Sequence, residues 1–259
     1  MLTLLSCGQG QNSSFDADYQ AVLNRATALN YNLPISSQQI KQNQLVLDLK
    51  AGGIWNKLDV LYIFANNGGQ DFGTLNWKSP TLYRIQARTS GLPVLFTSNV
   101  GFTGRDNAEQ AFLDTGFKPN PNGVNYTLNN ASRYLYVAAS GSASALDGTD
   151  ATTNNTQLSS SPAQRINSSN PLNNSHSFAS GTPTKSIHRT SSTNVELFNG
   201  TAQVSRTQTS TGLPLTNQYV FRNGSTYGNS TISLYAMGAS LVSENTAFVN
   251  AINTYMTGL

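Results

Sequence analysis

The chain carries little charge and almost no reactive side chains. Asp, Glu, Lys and Arg make up 10% of its 259 residues, against about a quarter in ordinary soluble domains. Its solubility therefore rests on neutral Asn, Gln, Ser and Thr, a surface common on extracellular and virion proteins. The single cysteine, Cys7, excludes an intrachain disulfide and with it a disulfide-stapled exported scaffold. The formal net charge is +3, but the basic residues stand singly from Arg25 to Arg222. No run among them could track a phosphate backbone, so nucleic acid is not an expected partner. No apolar run approaches the ~20 residues that span a bilayer. Leu4-Leu5-Ser6-Cys7 has the form of a lipoprotein cleavage box. Met1 to Ser6 nevertheless lacks the basic start and the apolar stretch of roughly 7–15 residues that a signal needs. Working outside a cell, such a chain is expected to leave by assembly into a particle or by lysis.

What is present is a change of period. Tyr19, Val22, Leu23, Ala26 and Leu29 lie on one side of a helix predicted over Asp16 to Tyr31, with Asp16 and Asp18 at its positive end. After Pro34, Ser36-Ser37-Gln38-Gln39 offers a capping box for a second helix through Lys50, with Ile40, Leu45, Leu47 and Leu49 as its apolar positions. Trp55, Leu58 and Phe64 then read as core. From Asn76 to Met237 the pattern changes to short β-branched and aromatic segments punctuated by Asn, Gly, Ser and Thr. Predicted strands are Leu82 to Ala87, Val94 to Thr103, Ala111 to Phe117, Arg133 to Ala139, Lys185 to Thr190, Val195 to Phe198, Gln203 to Gln208, Tyr219 to Arg222 and Ser230 to Met237. That spacing fits a sandwich or barrel. Asn199-Gly200 and Asn223-Gly224 read as turns, the first as a type I′ hairpin. The stretch from Ser140 to Asn174 has few apolar anchors, but Leu146, Leu158, Ile166 and Leu172 suggest excursions that pack on the body. Ser243 reads as the N-cap of a closing helix whose stripe is Phe248, Ile252, Tyr255 and Met256. Two units are expected: a helical mounting segment over 1–66 and a β-sandwich over 67–259.

Several segments carry a resemblance. Ala111-Phe112-Leu113-Asp114-Thr115-Gly116-Phe117-Lys118-Pro119, Asn129-Asn130-Ala131-Ser132, Arg189 to Gly200, and Tyr219-Val220-Phe221-Arg222-Asn223-Gly224 resemble the concanavalin-A-like (laminin-G-like) domain of tailed-phage virion structural proteins. The closing Phe248 to Met256 is similar to that domain's terminal helix, and Ile54 to Asp59 to the helical segment that precedes it in phage fibres. The resemblance covers Asp16 to the end. It implies a mainly β, antiparallel jelly-roll sandwich with a short N-terminal helical segment and a C-terminal helix, displayed on the particle as a fibre, spike or decoration. Its implied partners are other virion proteins and a host-surface glycan or receptor. Fibre-like relatives imply a cyclic homo-oligomer such as a trimer. Fold alone does not fix function.

The chemistry points the same way. Glycoside hydrolysis needs two carboxylates about 5–9.5 Å apart, and hydrolases of this fold often carry a Glu-x-Asp-x-x-Glu strand, which is absent. Glu109, Glu196 and Glu244 are the only glutamates, and only Glu109 has a near carboxylate, Asp106. His176 and His188 are the only histidines, and no Gly-x-Ser-x-Gly elbow raises a nucleophile. No enzyme is expected. Calcium is the one possible cofactor, because laminin-G-like domains sometimes hold it and Asp147-Gly148-Thr149-Asp150 puts Asp147 and Asp150 on one turn. Sugar recognition calls for exposed aromatics beside amides, and Tyr126, Tyr134, Tyr136 and Tyr227, with Asn125, Asn129 and Asn130, are the candidates. The leading expectation is a receptor-binding virion protein. An architectural virion joint without glycan binding and a polysaccharide depolymerase are the alternatives.

Overall fold

The computed structural model describes residues 15–143, 145–150, 153–159, 164–172, 178 and 181–259. Cys7 and its cleavage-box neighbours, His176, Ser160, Ser161, Asn173 and Asn174 lie outside them. The helices are α1 (Ala17–Ala28), α2 (Ser36–Ala51), the single turns α3 (Gln70–Gly73) and α4 (Pro119–Asn122), and α5 (Asn245–Thr257). The first strands are β1 (Leu58–Ile63), β2 (Gln86–Arg88), β3 (Leu95–Thr97), β4 (Gly101–Thr103), β5 (Phe112–Asp114) and β6 (Ala131–Ala139). There follow β7 (Ala145–Thr149), β8 (Asn155–Ser159), β9 (Arg165–Ser168), β10 (Thr184–Arg189), β11 (Asn194–Asn199) and β12 (Ala202–Thr207). The last are β13 (Gln218–Val220), β14 (Arg222–Asn223), β15 (Thr226–Tyr227) and β16 (Thr231–Gly238).

Two antiparallel sheets face each other. The larger has eight strands in the order β12-β11-β10-β6-β16-β4-β3, with β1 also on β16. β4 pairs with the first residues of β16 and β1 with the remainder. The smaller sheet runs β2-β5-β13-β7-β8-β9. Alternation along β1 explains the layering. Val60, Tyr62 and Phe64 point into the core between the sheets, while Leu61 and Ile63 point to the opposite face. A strand buried on both faces reads as a continuous apolar run rather than an alternating one, as Val60 to Ala65 does.

The helices cover that opposite face. Tyr19, Val22, Leu45, Leu49, Phe248, Ile252 and Tyr255 pack with Tyr134, Leu234 and Ala236 of the larger sheet. Burying each large side chain of α5 contributes about 1.5–3 kcal/mol. Lys50 ties the two N-terminal helices by meeting Asp16 and Asp18, each at 2.6 Å. Asp16 also caps α1 by accepting from the Asp18 N–H at 3.0 Å. Because β1 is hydrogen-bonded into the larger sheet, the expected division at residue 66 falls directly after a sandwich strand.

Most strands fall where the pattern placed them, but Val94 to Thr103 is a hairpin of β3 and β4, Leu82 to Ala87 is strand only from Gln86, Tyr219 to Arg222 breaks at Phe221, and the 140–174 stretch adds three. Within 140–174, β7, β8 and β9 build half of the smaller sheet, with Leu146, Leu158, Ile166 and Leu172 in the core. Two helix readings need correction. Ile35, not a Ser36 capping box, precedes α2, and the Gln39 amide donates to the Pro34 carbonyl. Ile40 and Leu47 face outward, 62% and 40% exposed, while Gln38 and Gln42 are buried. These glutamines tolerate burial because they are satisfied. Gln42 accepts from the Tyr19 hydroxyl at 2.7 Å and donates to the Tyr255 hydroxyl at 3.1 Å, joining α1, α2 and α5. The Asn199 and Asn223 turns form, but each asparagine pairs across its hairpin, and Gly200 (φ 65°) and Gly224 (φ 57°) take the left-handed position.

Candidate functional site

The candidate binding tyrosines separate. Tyr126 and Tyr134 are not a sugar platform: both are fully buried. The Tyr126 hydroxyl donates to the Asn167 side chain at 2.8 Å inside the sandwich. Tyr134 is roofed by α5, with its ring 4.1 Å from Phe248 and its hydroxyl donating to Asn245 at 3.1 Å. Tyr136 is half-buried on the helix-bearing face of the larger sheet, beside Thr182 and Pro183. Asn129 and Asn130 are exposed loop residues, accepting from the Ser210 hydroxyl at 2.7 Å and the Ser240 N–H at 2.8 Å. Asn125 lies elsewhere, tied to Asp59. These residues do not converge on one patch.

Nor do the two calcium candidates form one site. Val220 pairs with Asp147 across β13 and β7, so both side chains point inward. There Asp147 meets Arg133, and both side chains are fully buried. Burial pushes the Asp147 carboxyl up to about 6, with the guanidinium restraining the rise. Asp150, beyond the strand end, is engaged on the outer surface. No group of three or more His, Cys, Asp or Glu able to hold a metal occurs among the described residues.

Tyr227 does belong to a cluster, on the outer face of the smaller sheet. The device that builds it is a backbone kink. Phe221 has φ 70°, a left-handed conformation unusual for a bulky residue. The kink lets Val220 and Phe221 both bury in the inter-sheet core and turns the chain outward. The β14–β15 hairpin then lies on the outside of β7, where Gly148 leaves it room: a Cβ there would stand 2.7 Å from the Asn223 Cβ. Arg222 emerges beside Tyr219, and Tyr227 returns along the hairpin.

The Arg222 guanidinium sits 4.6 Å from the Phe112 ring centroid, 4.9 Å from Tyr219 and 5.5 Å from Tyr227. A cation facing three rings at these distances is attracted by each quadrupole. Arg222 also pairs with Asp150 at 2.6 Å, and the Tyr219 hydroxyl donates to the other Asp150 oxygen at 3.1 Å. Burial, reinforced by that carboxylate, pushes the Tyr219 hydroxyl up to about 12, so it remains a donor. A row of amides runs alongside. Asn155 donates to Asn223 at 3.2 Å, Asn223 donates to Gln157, and the Thr149 hydroxyl donates to Asn155 at 2.9 Å. On the other flank Asn217 donates to Asp114 at 2.8 Å. The arrangement offers the partly exposed Phe112 and Tyr227 rings and the Asn223 amide, backed by buried Tyr219, Asn155 and Gln157. It can bind a polar ring.

A Ser–His contact exists, but in the wrong setting for acyl transfer. His188 Nε2 lies 2.9 Å from the Ser186 hydroxyl, and both residues are fully buried. Its Nδ1 accepts from the Leu241 N–H at 3.1 Å, where a triad would have a carboxylate accepting from this nitrogen. Burial lowers the imidazole to about 3, keeping it neutral.

Tyr227 and Asp150 are candidates from sequence alone, whereas Arg222, Phe112 and Tyr219 come together only in the fold. The missed signal was period-two facing: Phe112 and Asp114 alternate with buried Leu113, and Tyr219 with Val220. Nothing local announced the Phe221 kink.

No protein-family model and no curated protein matches the chain. Among solved structures it is similar to a Trypanosoma rangeli sialidase mutant displaying trans-sialidase activity, at 8% identity and a TM-score of 0.51. That match covers 83% of this chain and 39% of the sialidase chain. It is also similar to domain 4 of a GH43 extracellular arabinanase from Geobacillus stearothermophilus, in complex with arabinotriose (12% identity, TM-score 0.45, 74% of this chain and 98% of that one). A third is the binding domain of botulinum neurotoxin DC in complex with rat synaptotagmin II (12%, 0.47, 78% and 52%). At such identities a likeness speaks to fold alone, and the two with TM-scores below 0.5 add no weight. The chain is a mainly β antiparallel sandwich with helices at both ends of the described fold.

Proposed function

We propose that this chain is a non-enzymatic phage virion protein, displayed on the particle, that binds a host-surface glycan or receptor through the outer face of its smaller sheet. The observation that carries the binding part is the Arg222 cluster: a guanidinium fixed among three rings and a carboxylate, beside a row of amides. Sugar C–H faces rest on such rings, and sugar hydroxyls exchange hydrogen bonds with amides. Shallow sites of this kind gain strength from copy number, so a homo-oligomer on a particle raises effective affinity without new contacts. The virion setting rests on the resemblance of the sequence.

A second reading, an architectural joint, is favoured by one observation. Ile40 and Leu47 stand seven residues apart on the outward face of α2, and Ile35 just before it is 61% exposed. An apolar stripe on a mounting helix suits a neighbouring subunit.

Mass spectrometry of gradient-purified particles, with antibody labelling in the electron microscope, tests the proposal. The expected result is label at fibre tips or surface spikes, with the purified protein competing for particle adsorption. Label at a collar or subunit joint without competition favours the architectural reading. Absence from particles overturns both.

A further inference from the structure

A second site lies away from the Arg222 cluster, where the start of β1, the 78–83 segment and the 117–125 loop enclose a cleft of about 340 Å³. That volume suits one small ring at the lower end of ligand pockets. Lys78 lines it, and its amine stands 4.1 Å from the ring centroid of Trp55, beside the cleft. Among the described residues the amine forms no ion pair. Asp59, the carboxylate lining the same cleft, is already occupied: it accepts from the Asn125 N–H at 2.9 Å, the Asn125 amide at 3.1 Å and the Tyr126 N–H at 2.7 Å. A half-buried ammonium whose only close partner is a ring face leaves part of its hydration unreplaced. Burial lowers Lys78 to about 8, with Asp18 and Asp59 opposing the shift and Lys50 adding to it.

The walls are not passive. Tyr83 holds a left-handed φ of 55°, costly for an aromatic residue. It is kept there by the Tyr62 hydroxyl, which donates to its carbonyl at 2.6 Å, and by edge-on packing against Phe117 at 5.3 Å. Leu82 and Val124, 51% and 81% exposed, line the cleft as well. Asn56 and Ser79 add an amide and a hydroxyl. The cleft thus has one cation without an ion pair, an apolar lip, neutral polar groups and the hydrogen-bonded Asp59 carboxylate.

We infer that this cleft binds a carboxylate-bearing saccharide residue, its carboxylate on the Lys78 amine and its ring against Tyr83, Leu82 and Val124. The site is separate from the Arg222 platform, and each can fail without the other.

The test is an amide-resolved NMR titration of the full chain with methyl β-D-glucuronide, its neutral counterpart methyl β-D-glucoside, and sodium acetate. The expected result is saturable shifts around Lys78, Tyr83 and Asn125 with the glucuronide, and binding at least about tenfold weaker for the other two. Lys78→Met should weaken glucuronide binding by at least about tenfold. Val124→Asp, at an exposed lip that no fold element depends on, should weaken it through repulsion. Binding should also fall as pH rises above about 8, where Lys78 loses its proton. The inference is overturned by no saturable shift at millimolar glucuronide, by equal binding of the glucoside or acetate, or by unchanged binding in Lys78→Met or Val124→Asp.

Discussion

Arg133→Met is expected to lower the melting temperature by on the order of 10 °C, the consequence of about 3–5 kcal/mol lost when a buried ion pair loses one partner. Arg133 on β6 and Asp147 on β7 bridge the two sheets across the core, and neither side chain reaches solvent. Arg133 also donates to the Tyr235 hydroxyl at 3.0 Å, and Asp147 accepts from the Leu158 N–H at 2.6 Å. Without the guanidinium, that single N–H is all that compensates a buried carboxylate. The pair itself is incompletely satisfied, since Arg133 Nε and Nη1 have no hydrogen-bond partner among the described residues. The double variant Arg133→Met/Asp147→Leu should therefore be close to wild type or more stable. Urea unfolding of both variants checks this; a single variant as stable as wild type would contradict it.

The same pair gives a pH signature. Burial raises Asp147 to about 6 against an ordinary 3.8, despite Arg133. A carboxyl raised on folding holds its proton more tightly in the native state. Its contribution to stability is full below the unfolded value and is lost as pH rises through about 6. Glu196 has the opposite sign. Burial works against its ionised form, but hydrogen bonds from Ser205, Gln203 and Asn194 hold it below the usual range, so its contribution is lost as pH falls. Comparison with Asp147→Asn isolates the first effect: the margin of the wild-type chain over this variant should narrow between pH 4 and pH 7.

Arg222→Ala should abolish glycan binding at the outer face of the smaller sheet while leaving the fold nearly intact. Its ion pair with Asp150 is partly exposed, at 20% and 35% for the two side chains, and such pairs contribute about 0–1 kcal/mol. Its loss frees Phe112, Tyr219 and Tyr227 from the charge that faces them and releases Asp150. Arg222→Lys should not rescue binding, because an ammonium cannot face three rings and span a carboxylate as a planar guanidinium does. Calorimetry with host-derived oligosaccharide, beside thermal unfolding, reads both quantities. Loss of fold along with binding would mean that Arg222 is a structural residue.

Sequence pattern revealed layers better than facings. The switch from helical to strand spacing and the closing helix were legible, because each follows from apolar periodicity, whereas Val60 to Ala65 showed only an apolar run of strand or short-helix length. The outward turn of Ile40 and Leu47 was not, since it depends on Gln38 and Gln42 finding partners 23 to 213 residues away. The inward turn of Tyr126 and Tyr134 was hidden for the same reason: a buried tyrosine needs only one distant acceptor, Asn167 or Asn245. Asp147 looked like half of a calcium turn because it stands three positions before Asp150. In a strand that odd spacing sends the two carboxylates to opposite sides. The Arg222 cluster depends on a left-handed phenylalanine, and no residue preference advertises that conformation.

The most direct test of the account is an amide-resolved NMR titration with oligosaccharide prepared from the host surface. The account predicts saturable shifts on β5, β13 and the β14–β15 hairpin around Phe112, Tyr219, Arg222 and Tyr227. Shifts confined to the outward face of α2, or none at all, would contradict it.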